Sequence, residues 1–256
     1  MICTSNSQSN WQLAGGSIPG SDHTMPGKPL WKNNQDAFLI HQDAHATIAI
    51  VSDGCGSGSS SEVGAQIGVR LLAEILKDLA QRGISPNWEC IRMELLSQIS
   101  VMARAMGVSF SGVVGEYFLF SLLGVYITQD RAWLFSCGDG MYAIDGMIRK
   151  LGPFPDNAPP YLSYGLLGES APPFLITEHD PSTIQTIALG TDGTDYIADL
   201  DKTLAEWAET DALFRNPDGL RRQLAIMNLE KIDKGILRPG PLKDDTTVIL
   251  LRHQQP

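Results

Sequence analysis

No apolar stretch in the sequence approaches the ~20 residues that a membrane-spanning helix needs. Basic residues are also few: 19 Lys and Arg stand against 29 Asp and Glu, for a net charge of −10. They form no cluster, so the basic footprint of a nucleic-acid binder is missing. The four cysteines, Cys3, Cys55, Cys90 and Cys137, include no Cys-x-x-Cys pair, and the N-terminus has no secretory signal. Both absences predict a reducing, cytoplasmic setting. Cys55 and Cys137 then read as small packing residues rather than as a nucleophile or a zinc ligand. No internal repeat and no long low-complexity run breaks the chain.

What is present is a globular composition, 43% hydrophobic and 19% charged over 256 residues, enough to bury a substantial core. The chain is organised around residues 48–62. A short β-branched apolar run ends at Asp53-Gly54, followed by glycines at 56 and 58. Ser59-x-x-Glu62 then fits a capping box that opens an apolar-periodic helix. The local expectation is strand, acidic loop, helix.

Read in order, residues 1–30 are polar and rich in Ser, Gly, Asn and Pro, a loose arm followed by an edge segment. A polar turn leads into a strand ending at Ile40, and a hairpin at 41–45 joins it to the strand at 46–52. Helices are expected at 62–82 and 87–106, split by the breaker at 82–86. A Gly- and Ser-containing loop at 107–116 precedes a strand from Tyr117 to Thr128, another over 132–137, and a meander with tight turns through Ile148. The Pro-rich connection from Gly152 to Pro173 is long enough to be a functional flap. Strands at 174–177 and 184–189, helices near 199–209 and 217–229, and a last strand at 246–251 complete the chain. Strands on both sides of a helical block favour a single α+β domain spanning 1–256.

Acidic loops recur at these strand ends: Asp36, Asp53, Asp139, Asp192 and the pair Asp244-Asp245. Any one fits an Asx turn. Together they form an all-oxygen donor set on rigid supports, which suits hard cations such as Mg²⁺ and Mn²⁺.

The ordered set resembles the metal-dependent PPM, or type 2C, family of Ser/Thr protein phosphatases in its compact bacterial form. The resemblance rests on Asn34-Gln35-Asp36, Ser52-Asp53-Gly54-Cys55-Gly56, Leu122-Leu123-Gly124, Gly138-Asp139-Gly140, Thr191-Asp192-Gly193 and Asp244 to Val248, nearly the whole chain. It implies an αββα sandwich with two metal ions, Mn²⁺ or Mg²⁺, at one end. Asp53 would bridge both ions, Gly54 would offer its carbonyl to one, and Asp192 and Asp244 would bind the other. Asp36 and Asp245 would hold waters around them, and Asp139 with Asp192 would support a weaker third ion.

The resemblance further implies hydrolysis of phosphoserine and phosphothreonine in proteins by a metal-activated water. The substrate would be a phosphoprotein, a cognate Ser/Thr kinase a natural partner, and the chain a monomer. The chemistry stands on its own terms. Two ions about 3.5–4 Å apart can share a water, lower its pKa and clamp a phosphate. No Cys-x5-Arg loop or Asp-x-Asp-x-Thr run suggests a phosphoenzyme.

Departures from the family pattern bear on substrate binding. The Arg that often precedes the first acidic motif is replaced by lysines: Lys28 and Lys32 are the candidates for phosphate, as point charges without a bidentate fork. His23 is a candidate proton donor to the leaving oxygen, its ordinary pKa of about 6.5 suiting the task; the competing reading is a surface histidine on the arm. Ser57 stands where many members carry Gly. The rival from another class is a catalytically weak or inactive scaffold of the same fold that binds a phosphoprotein or signalling partner. A small-molecule phosphatase is a further alternative. A nucleotide loop at 54–58 lacks the Gly-Lys-Ser/Thr signature.

Overall fold

The computed structural model describes residues 10–24, 33–107, 109–155, 158–233 and 236–253. Two five-stranded antiparallel sheets pack face to face. Numbered in chain order, one sheet runs β2 (Ala37–Gln42), β3 (Thr47–Ser52), β4 (Leu122–Ile127), β5 (Ala132–Cys137), β8 (Leu175–His179). The other runs β1 (Trp11–Ile18), β12 (Thr246–His253), β9 (Thr186–Gly190), β6 (Gly140–Ile144), β7 (Met147–Leu151).

Strand β3 explains the layering. All six of its residues are buried, because side chains of period two serve two cores at once. Ile48 and Ile50 join α2 (Ser61–Gln81), α3 (Trp88–Met106) and α4 (Phe110–Tyr117). Ala49 and Val51 point the other way, meeting Leu189 and Ile249 between the sheets. In β12, Val248 and Leu250 pack on α5 (Leu200–Glu209), α6 (Asp211–Arg215) and α7 (Gly219–Met227), while Ile249 and Leu251 face the inter-sheet core. The order is helices, sheet, sheet, helices. Each fully buried Leu or Ile contributes about 1.5–3 kcal/mol relative to exposure, so register is strongly specified in both sheets.

Several local expectations need correction. The loose arm is structured within its described part: Trp11–Ile18 pairs with β12 along eight residues, and Ser21–Thr24 forms a single helical turn, α1. The loop at 107–116 is largely α4, nucleated where the Ser109 side chain accepts from the Gly112 N–H and held by buried Val114. The strand expected from Tyr117 therefore starts only at Leu122. The capping box does not form: α2 has no side-chain cap, and Ser59 instead donates to Glu116 at 2.5 Å. A short hairpin, β10 (Lys231–Asp233) with β11 (Ile236–Arg238), and the helix α6 lie where no element was expected.

Candidate metal centre

All five acidic loops lie at one end of the paired sheets. Asp53 follows β3, and its backbone is clamped by Ser121: Asp53 N donates to Ser121 Oγ at 3.0 Å, and Ser121 N donates to Asp53 O at 2.8 Å. Asp36 precedes β2, and the pairing of Ala37 with Ser52 sets it beside Asp53. Asp192 follows β9, Asp244 and Asp245 precede β12, and Asp139 occupies the turn between β5 and β6. Gly138 and Gly140 flank that turn with φ of +109° and +117°, angles that a side chain would strain. At Gly193 an added Cβ would lie 2.0 Å from the Asp245 carbonyl, so only glycine lets the Asp192 loop close against the Asp244-Asp245 loop.

Carboxylate oxygens of Asp53, Asp139 and Asp192 lie within 4.8 Å of one another, as do ligand atoms of His23, Asp244 and Asp245. The two groups share a cleft of about 520 Å³. Burial first, and then Asp36, Asp192, Asp139 and Asp244, hold Asp53 well above the usual carboxylate range. Burial and then Asp245 do the same to Asp36, against the pull of hydrogen bonds from Thr191 and Thr247. Asp192 is raised to about 7 by burial and then by Asp244 and Asp139, and Asp139 and Asp244 are raised mainly by burial. So many close carboxylates cannot all ionise without a cation among them.

The residues fit a hard divalent ion. The donors are carboxylates on rigid strand ends. Asp36 accepts from Thr191 through Oδ2 at 2.7 Å, while its buried Oδ1 has no hydrogen-bond partner among the described residues. Gly54 is buried beside Asp53 and donates its N–H to Gln35 O at 3.1 Å.

His23 is not a surface histidine. It is 9% exposed, its Nδ1 is 2.9 Å from Asp245 Oδ1, and its Nε2 is 3.7 Å from Asp244 Oδ1. Asp245 also accepts from Gly20 N at 2.8 Å and from Gln35 N at 2.6 Å, so both of its oxygens are taken. Lys28 and Lys32 lie outside the described residues. Among the described residues that line the cleft there is no lysine and no arginine.

Two features of the cleft are sharper than the sequence reading, which takes Cys55 as a packing residue and places Pro159 to Tyr164 in a flap that selects substrate. Cys55 is half-buried and lines it, with Sγ 3.1 Å from Ser57 Oγ. Tyr161 of the Pro-rich connection forms a wall above Asp53 and Asp139; burial, then Cys55 and Asp53, push its phenol pKa up, so it stays protonated. The sequence assigns the second to the flap but carries no sign that its ring would lie beside Asp53.

Comparisons agree with this architecture. Among solved structures, the Mycobacterium tuberculosis serine/threonine phosphatase PstP/Ppp is 14% identical with a TM-score of 0.58, covering 96% of this chain and 99% of its own. The PstP catalytic domain in complex with two manganese ions gives 15% and 0.56, covering 94% and 97%. RsbX in complex with magnesium gives 15% and 0.52, covering 95% of each chain. At such identity these likenesses establish the fold alone. No curated protein matches. The family described as Protein phosphatase 2C matches residues 31–227, well over half of the sequence, and the chain belongs to that family.

Proposed function

We propose that the chain removes phosphate from phosphoserine and phosphothreonine in proteins, using two Mn²⁺ or Mg²⁺ ions held by the cluster at the end of the sheets. The observation that carries this reading is the approach of Asp53, Asp139 and Asp192 to within 4.8 Å, with carboxyl pKa values raised by burial and by one another that a bound cation would bring down. Family membership and the manganese and magnesium in two structural neighbours support the choice of ions.

Asp53 and the Gly54 carbonyl would hold one ion, and Asp53, Asp192 and Asp244 the other, with Asp139 and Asp192 available to a weaker third. When bound, such ions lower the pKa of water and neutralise phosphoryl charge. The protein's share is positioning. Asp36, with one oxygen on Thr191, would hold a metal-bound water through the other. Asp245 holds the His23 ring at Nδ1, and in its protonated form His23 would donate to the departing serine or threonine oxygen through Nε2. Lys28 and Lys32 remain the basic candidates for drawing substrate phosphate in. In this reading residues 1–256 act as one monomeric catalytic unit, and a Ser/Thr kinase that phosphorylates the same substrate is the natural partner. No described helix is long and apolar enough to cross a membrane.

A second reading has its own support. No described lysine or arginine lines the cleft, as would suit a scaffold that binds phosphoproteins without turnover. Hydrolysis of p-nitrophenyl phosphate and of a phosphothreonine peptide, titrated with Mn²⁺ and Mg²⁺ beside Asp53→Asn, separates the two. Metal-dependent turnover that disappears in the variant is expected. A folded protein without turnover in either metal would leave the scaffold.

A further inference from the structure

Every carboxylate in the cleft is an acceptor, and a phosphoryl group brings more acceptors. Its oxygens that do not face cations therefore need donors, and a neutral donor serves without competing with the ions for the carboxylates. The available groups are few. Gln35 already spends its side-chain amide on Ser61 Oγ at 2.5 Å and Gly58 O at 3.2 Å. Ser57 is exposed on a glycine-flanked loop and faces Cys55.

Tyr161 is different, because the fold fixes it from both sides. The preceding carbonyl, Pro160 O, accepts from Cys137 Sγ at 3.3 Å, tying the connection to the strand that leads into Asp139. The following residue, Leu162, is 1% exposed and packs in the core beneath the helices. Tyr161 itself has extended backbone angles of −74° and 137° and is only 6% exposed. Its ring tilts against Tyr164 at 5.5 Å between centroids, and its hydroxyl meets the Cys55 side chain close to Asp53 and Asp139.

We propose that the Tyr161 hydroxyl is a substrate-binding donor that grips a phosphoryl oxygen. The inference rests on the phosphatase reading and names how that site holds its substrate. As phosphate enters, the O–H turns from the Cys55 sulfur, a weak acceptor, to an anionic oxygen, a charge-assisted bond about twice as strong as a neutral one. Proline at 159 and 160 restricts the backbone before the ring, so little ordering entropy is lost on binding.

Tyr161→Phe removes one hydroxyl and keeps the ring packing. Inorganic phosphate binding to the Mn²⁺-loaded protein should weaken about tenfold, the worth of one charge-assisted hydrogen bond. The catalytic efficiency toward p-nitrophenyl phosphate should fall about 10- to 100-fold, at or below the loss of one oxyanion donor. Mn²⁺ affinity and melting temperature should not change. Unaltered phosphate binding and efficiency would overturn the proposal, as would a loss matched by weaker Mn²⁺ binding, which marks a structural role. If the wild type binds Mn²⁺ and phosphate without turnover, the phosphatase reading fails while the phosphate titration still decides the role of Tyr161. A Mn²⁺-loaded wild type that binds no phosphate overturns both.

Discussion

Asp245 Oδ1 lies 2.9 Å from His23 Nδ1, joining the two ends of the chain across 222 positions beside the cluster of carboxylates. The same carboxylate takes the backbone N–H groups of Gly20 and Gln35. One buried side chain thus ties the segment before the first acidic motif, the motif itself and the last strand together.

Asp245→Ala should be among the most destabilising substitutions near the cleft. It leaves three buried donors without an acceptor, at about 1–3 kcal/mol for each group that water cannot reach, so urea unfolding should show a loss of roughly 3 kcal/mol or more. Asp245→Asn keeps one acceptor oxygen and should lose less. Equal stability of the alanine variant and the wild type would mean that this knot does not hold in solution.

The metal-free protein should lose stability as pH rises. Asp36, Asp53 and Asp192 have folded-state pKa values above their unfolded ones, so the folded state binds more protons between about 4 and, for Asp192, about 7. Stability is then fully present below the unfolded value and falls as pH rises through the folded one. Thermal unfolding in EDTA should give a higher Tm at pH 5 than at pH 8, and saturating Mn²⁺ should raise the Tm more at pH 8. A flat or rising metal-free Tm across this range counts against the carboxylate cluster.

Asp53→Asn and Asp192→Asn should abolish metal-dependent turnover and still fold. Each removes one charge from a crowd of like charges, so the metal-free variants should be as stable as the wild type or more so. Calorimetric Mn²⁺ titration and thermal unfolding test the two halves separately. Full activity in both variants would sink the two-metal assignment.

Gly193→Ala should act on the site through the backbone. Its Cβ would sit 2.0 Å from the Asp245 carbonyl, so the loops carrying Asp192 and Asp244 must move apart. Shifts of about 1 Å can cost 100-fold in catalysis. A loss of activity with weaker Mn²⁺ binding is expected, beside a stability loss of about 1–3 kcal/mol from overpacking. Unchanged Mn²⁺ affinity would mean that the loops do not need their close contact.

Much of this protein is written in local pattern. The starts and ends of α2 and α3 follow from apolar periodicity and the breaker at 82–86, and the strand at 47–52 from a continuous β-branched run. The acidic residues are visible because each interrupts or borders such a run. Other features have no local signature. Gly15 and Gly16 hide β1, yet an added Cβ at Gly16 would lie 2.4 Å from Arg221 N, where α7 crosses the strand closely. Residues 107–116 read as a loop because glycine and serine lower helix propensity, but packing on α2 and α3 outweighs that preference.

By itself, then, the sequence determined the periodic elements and which residues carry carboxylates at strand ends, because propensity and burial pattern act over a few neighbours. Only the tertiary structure decided that Asp53, Asp139 and Asp192 meet within 4.8 Å, that His23 is buried on Asp245, and that Tyr161 walls the cleft. Those relations span from about 50 to more than 200 positions of chain. They arise when two sheets pack to exclude water, a condition no short stretch of sequence can express.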